Sequence, residues 1–134
     1  MTTIKSYTDI EESKKLTEIL PTETADGFYE AQHNPLTDKW EYILFTGNEW
    51  ASEEVVIPCW SLAALLSVLS VWAVLYKETD EHKMYYTGEH RIYYYVEAYM
   101  KRMGKEINLS TKFHENSVDA CYEMIIELHK RKIF

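Results

Sequence analysis

The chain has 134 residues, of which 46% are hydrophobic and 27% charged, and its formal net charge is −8. This length fits a single domain over residues 1–134, and the composition excludes long disordered stretches. With 22 acidic against 14 basic side chains, the chain is a poor candidate for binding nucleic acid or an anionic membrane, and a basic partner is favoured.

The first predicted helix covers residues 9–20, because Thr8 and Glu11 form a capping-box pattern and Pro21 ends the run. Strand-like runs at 26–32 and 40–46 follow. A turn-rich segment separates them, so we expect a hairpin. Residues 49–57 are expected to form a loop or a short edge strand.

Residues 55–76 carry no charge and are long enough to cross a bilayer. Pro58 and Ser61 mark a helix start instead, and the run becomes β-branched and aromatic from Val71 onward. The leucines between them share one helical face: Leu62, Leu65, Leu66 and Leu69. A helix followed by a strand is therefore favoured over a membrane span.

The chain from the strand predicted at 71–78 onward predicts an antiparallel meander, with further runs at 84–86, 92–100 and 106–113. Alternation in the middle run directs one set of residues to the core: Ile92, Tyr94, Val96, Ala98 and Met100. The other set faces outward: Tyr93, Tyr95, Glu97, Tyr99 and Lys101. Alternatively, residues 97–103 form a helix closed by Gly104.

The last helix begins at Asn116 or Ser117 and has apolar residues at helical spacing through Leu128. The predicted order is therefore α-ββ-α-βββ-α. We expect an α+β fold, in which an antiparallel sheet made of the hairpin and the meander forms a two-layer sandwich with about three helices.

Two segments, Pro-Cys-Trp-Ser-Leu-Ala-Ala-Leu-Leu at 58–66 and Asn-Ser-Val-Asp-Ala-Cys-Tyr-Glu-Met-Ile at 116–125, carry a family resemblance. They resemble segments of small uncharacterised proteins from gut Bacteroidales and their phages, a family without an established activity. Ser117 stands where those relatives tend to have proline. The resemblance implies a bacterial or phage-infected cytoplasm and a mobile-element gene, and it implies no reaction.

Cys59 and Cys121 fit no metal motif and are too few for a disulfide scaffold, so we expect reduced thiols. Residues 1–20 also lack the apolar core of a secretory signal, which predicts a cytoplasmic protein. A predicted helix start beside Cys59 makes it a weak candidate nucleophile. Packing in the core is the favoured interpretation of both thiols.

The acid–imidazole pairs Glu81-His82 and Glu89-His90 match no metal-ligand spacing and are interpreted as solvated loop charges. We therefore predict no metal, no cofactor and no assembled catalytic motif. The outward tyrosines are the predicted contact surface for another protein or for a second copy of the chain: Tyr93, Tyr95 and Tyr99.

The leading hypothesis is therefore a non-enzymatic accessory protein that binds a protein partner. Two alternatives stay open. One is a small thiol-dependent enzyme that uses Cys59, and the other is an acidic inhibitor that imitates nucleic acid.

Overall fold

The computed structural model describes residues 5–47, 56–69, 73–80, 91–102 and 104–133. It shows an α+β fold, and the predicted order of helix, hairpin, helix, meander and helix is confirmed. The elements are α1 (Ile10–Thr17), a 3-10 turn (Thr22–Thr24), β1 (Gly27–Asn34), β2 (Lys39–Thr46), β3 (Val56–Cys59), α2 (Leu62–Leu69), β4 (Ala73–Asp80), β5 (Arg91–Arg102), β6 (Lys105–Ser110) and α3 (Ser117–Lys130).

The N-cap of α1 is Asp9 rather than Thr8. Asp9 accepts a hydrogen bond from the Glu12 N–H at 2.8 Å, and Glu12 accepts one from the Asp9 N–H at 3.0 Å. Thr8 is instead fully buried: its N–H donates to the Trp60 carbonyl at 2.9 Å, and the Trp60 N–H donates to its hydroxyl at 3.1 Å. The helix ends at Thr17, before the predicted end at residue 20.

The predicted hairpin, β1 with β2, forms the first sheet together with β3, in the strand order β2-β1-β3. β1 and β2 pair from Gly27 opposite Thr46 to Asn34 opposite Lys39. Among the described residues, β3 pairs with β1 only as far as Glu30. β3 shares only residues 56 and 57 with the predicted loop or short edge strand at 49–57, and it includes Pro58, which the sequence predicts at a helix start. Residues 48–55 lie outside the described residues.

The predicted meander forms a second three-stranded sheet of order β4-β5-β6, separate from the hairpin sheet. The alternative helix at 97–103 is wrong, because residues 97–102 belong to β5. Gly104, with φ of 78°, makes the turn into β6. The predicted strand at 84–86 lies outside the described residues.

The core lies between the second sheet and the helices. α3 packs on β5 and α2 packs on α3. Trp60, Leu65 and Met124 are fully buried in this core, and each such side chain contributes about 1.5–3 kcal/mol through its burial. The Trp60 indole N–H is satisfied by the Thr24 hydroxyl at 2.9 Å.

Asn116 caps α3, as predicted, and its side chain accepts hydrogen bonds from the N–H groups of Val118 and Asp119. α2 covers eight residues before the chain enters the second sheet. None of the helices in the described residues is long and apolar enough to span a membrane.

Candidate functional site

The two faces of the second sheet differ in character. Alternate residues of β5, including Val96 and Ala98, are buried against the helices. The residues between them lie on the opposite face, where Tyr99 is exposed. We call this surface the outer aromatic face and define it by five residues: Tyr76, Tyr93, Tyr95, Tyr99 and Phe113.

Ring contacts fix the positions of these side chains. Tyr76 and Tyr95 lie opposite each other on β4 and β5, with ring centroids 5.0 Å apart and an interplanar angle of 15°. Phe113 places its ring edge-on at 5.3 Å from Tyr95 and 6.2 Å from Tyr93. Each pair contributes about 0.5–1.5 kcal/mol beyond area burial. Phe113 is 63% exposed and Tyr76 40% exposed, so part of this ring cluster is open to solvent.

Carboxylates accompany the rings. Glu78 lies two residues beyond Tyr76 on β4 and accepts a long hydrogen bond, 3.4 Å, from the Tyr95 hydroxyl. Glu97 lies two residues beyond Tyr95 on the same face of β5. Partial burial and the charges of Glu78 and Glu97 raise the pKa of the Tyr95 hydroxyl. Lys101 adds one cation further along β5, whereas Glu78 and Glu97 lie next to the stacked rings and place negative charge beside them.

The tyrosines predicted as a contact surface all lie on this face. Tyr93 and Tyr95 are partly buried, and Tyr99 is more open. Their binding role stays a prediction. Trp60, an aromatic residue near the predicted helix start, is in the core, whereas Trp40 is exposed on the first sheet.

Sequence reasoning missed two members of the face, Tyr76 and Phe113. The position of Tyr76 depends on its register opposite Tyr95, which alternation within β4 alone does not determine. The sequence predicts Phe113 within a strand over residues 106–113, but β6 ends at Ser110. Paired backbone hydrogen bonds between His114 and Tyr94, at 2.7 and 2.8 Å, hold the following loop against the sheet.

The weak candidate nucleophile, Cys59, is fully buried at the end of β3 and does not begin a helix. Burial and the nearby Asp26 carboxylate raise the pKa of its thiol to about 12. Burial alone raises the pKa of Cys121, within α3, to about 12. An activated thiol needs a lowered pKa and access to solvent, so the structure supports packing for both.

A charged cluster joins the N-terminal segment to α1 and α3. The Lys5 ammonium donates to Asp119 at 2.6 Å, to Asp9 at 3.3 Å and also to Glu12. Burial opposes the charge of Lys5, but hydrogen bonds to Asp119 and Glu12 outweigh it and raise its pKa. Burial raises the pKa of Glu12 to about 7, although Lys5 acts in the opposite direction.

An open groove of about 550 Å³ borders this cluster along α3. Glu123 on its wall accepts a hydrogen bond from the Lys112 N–H at 2.9 Å and contacts His114 Nε2 at 3.2 Å. Lys130 on the same wall contacts Glu127 at 3.4 Å. These contacts pair the groove's charges with one another and hold loop and helix together.

The pairs Glu81-His82 and Glu89-His90 lie outside the described residues. Within the part of the chain that the structure describes, no group of three or more His, Cys, Asp or Glu side chains is placed to hold a metal ion.

The outer aromatic face combines stacked rings, exposure to solvent and two carboxylates beside the rings. Neither the buried thiols nor the charged cluster around Lys5 has this combination. Comparison with protein families, curated proteins and solved structures finds no match to this chain. The case for a function therefore depends on the chemistry of this face.

Proposed function

We propose that this chain is a non-enzymatic interaction protein whose outer aromatic face binds a basic segment of another protein. The observation that carries the proposal is the ordered stack of Tyr76 and Tyr95 with the carboxylates of Glu78 and Glu97 beside it. An arginine or lysine over a tyrosine ring gains about 0.5–1 kcal/mol at an exposed site. A neighbouring carboxylate adds about 0.2–1 kcal/mol for an exposed ion pair.

The spacing along β5 matches an extended partner. Tyr95, Glu97 and Tyr99 follow one another on one face, about 6.7 Å apart, because alternate residues of a strand share a face. Alternate side chains of an extended basic segment have the same spacing. The net charge of −8 would also speed the approach of such a partner.

The resemblance of residues 58–66 and 116–125 to proteins of gut Bacteroidales and their phages supports the same proposal. From it we infer a bacterial or phage-infected cytoplasm and a mobile-element gene.

A fluorescent peptide with alternating arginine and serine tests the proposal by anisotropy titration. We expect binding that weakens with salt and weakens about tenfold, or about 1.4 kcal/mol, when Tyr93, Tyr95 and Tyr99 are replaced by alanine. Tyr42→Ala is the matched control, because Tyr42 is an exposed tyrosine on the first sheet. Circular dichroism would show that both variants keep the fold.

A second pair of variants tests how much the carboxylates contribute to peptide binding. The double replacement Glu78→Gln and Glu97→Gln should weaken binding and reduce its salt dependence. Glu11→Gln with Glu18→Gln makes the same change of net charge on exposed positions of the α1 region and should have a smaller effect. Equal affinity in both double variants, or equal binding of a peptide with glutamate in place of arginine, would contradict the proposal.

A further inference from the structure

The free edge of β2 is a second exposed surface, on a different sheet from the outer aromatic face. β2 pairs with β1 on one side, and the described residues place no strand on its other side. Its apolar side chains are open on both faces of the sheet: Trp40 is 71% exposed and Leu44 40% on one face, and Ile43 is 40% exposed on the other.

Natural edge strands are usually blunted by charges, prolines or bulges. The register of β2 with β1 runs through all eight pairs without a bulge. Residues 42–46 contain no charge and no proline. This part of the edge is therefore a template on which another strand can form a ladder.

The hydrogen-bonding groups of this edge belong to alternate residues. The Gly47 N–H donates to the carbonyl of Asp26, its direct opposite in the hairpin register, at 2.7 Å. Hydrogen-bonded and non-hydrogen-bonded pairs alternate along an antiparallel ladder. Odd-numbered residues of β2 therefore bond to β1. The residues whose N–H and C=O groups point outward are the even-numbered ones: Trp40, Tyr42, Leu44 and Thr46.

We propose that β2 pairs edge to edge with β2 of a second copy of this chain, in an antiparallel dimer with one continuous six-stranded sheet. A twofold axis at Ile43 places Tyr42 opposite Leu44 of the second copy and Trp40 opposite Thr46 of the second copy. Every outward-pointing residue then meets another outward-pointing residue, so the inter-chain ladder is complete. On the other face, Ile43 packs beside Ile43 of the second copy.

Charge and side-chain pattern favour a second copy over a charged partner. β2 carries Lys39 and Glu41 and is formally neutral, although the whole chain is at −8. Two copies therefore do not repel each other along this edge, and a basic segment gains no attraction there. A second β2 also brings apolar side chains to both faces at matching spacing. The pairing uses both β2 edges at once, which is the closed, isologous contact of a twofold dimer.

A proline at an outward-pointing position of β2 tests the inter-chain contact without breaking the hairpin. Tyr42→Pro removes an N–H that does not bond to β1, so the hairpin ladder is kept while the inter-chain ladder is blocked. Tyr42→Ala is the matched control, because it shortens the side chain and keeps the N–H. Sedimentation equilibrium of the full chain should give twice the monomer mass for wild type and for Tyr42→Ala at high concentration, and the monomer mass for Tyr42→Pro.

Leu44→Lys gives an answer that does not depend on proline, because it places a charge in the middle of the edge while keeping all backbone donors. We expect a monomer with wild-type circular dichroism, and this variant decides the matter if Tyr42→Pro does not fold. A wild-type monomer at every concentration would overturn the proposal. So would a dimer that survives Leu44→Lys, or one that only the alanine replacements at Tyr93, Tyr95 and Tyr99 abolish.

Discussion

Replacement of Lys5 by methionine should destabilise the fold by about 2 kcal/mol. The Lys5 ammonium bonds to Asp119 at 2.6 Å and to Glu12, and so connects the N-terminal segment with α1 and α3. Methionine keeps most of the apolar stem. It leaves the carboxyl groups of Glu12 and Asp119, which interact with each other, without their shared cation.

The size of this destabilisation depends on how far the side chains of Lys5, Glu12 and Asp119 are buried. Exposed ion pairs contribute about 0–1 kcal/mol, and breaking a fully buried pair costs about 3–5 kcal/mol. The side chains of Lys5, Glu12 and Asp119 keep 23%, 12% and 35% of their exposure. The cluster is intermediate between those two limits, which gives about 2 kcal/mol.

The loss of stability caused by Lys5→Met should also depend on pH. The pKa of Glu12 is raised from 4.5 to about 7 in the fold, so the folded state holds this proton more tightly than the unfolded chain does. The stabilisation from that proton is complete below the unfolded pKa and is lost as pH rises through the folded pKa. Without Lys5, the ionised Glu12 faces Asp119 with no cation, so the cost should be larger at about pH 8 than at about pH 5.

Urea unfolding followed by tryptophan fluorescence at these two pH values measures the effect. Lys14→Met is the matched control, because Lys14 is an exposed lysine of α1 and its loss should change the free energy of unfolding by less than about 0.5 kcal/mol. Equal stability of the two variants at both pH values would contradict a stabilising role for the Lys5 cluster.

Three further predictions concern the packing of the fold. Gly27→Ala should lower the free energy of unfolding by about 1–3 kcal/mol, because the added Cβ would lie 2.8 Å from Tyr7 Cε1 and 3.0 Å from the Cys59 sulfur. An unchanged midpoint of urea unfolding would contradict this packing. Iodoacetamide should label Cys59 and Cys121 in the folded protein far more slowly than a free peptide cysteine, because burial raises both pKa values to about 12; rapid labelling would show access that the structure lacks. Asn116→Ala should lower the free energy of unfolding by about 1 kcal/mol through loss of the α3 cap, whereas Asn116→Asp should retain most of it.

Features that depend on neighbouring residues could be predicted from the sequence. The start of α3 at Asn116 follows from a local cap and from helical spacing. The alternation of β5 is equally local, and it correctly predicts Val96 and Ala98 in the core. It is wrong for Ile92, which is 37% exposed near the start of the strand. The start of α1 was harder to predict, because two residue pairs match the capping pattern: Thr8 with Glu11, and Asp9 with Glu12.

Long-range pairing explains what sequence reasoning missed. Thr8 is excluded as the cap because it bonds to Trp60, far away in the chain. The hairpin and the meander both form, but their division into two sheets depends on which strands meet, and alternation does not encode that choice. Phe113 joins the outer aromatic face only because His114 pairs with Tyr94.

The most direct test of the proposed function is an NMR titration of the ¹⁵N-labelled chain with the alternating arginine–serine peptide. We expect the amide shifts to change along β4 and β5, most of all at Tyr76, Tyr95 and Tyr99, while those of β2 and of the groove along α3 stay unchanged. Shift changes confined to β2 or to the groove, or no changes at saturating peptide, would contradict it.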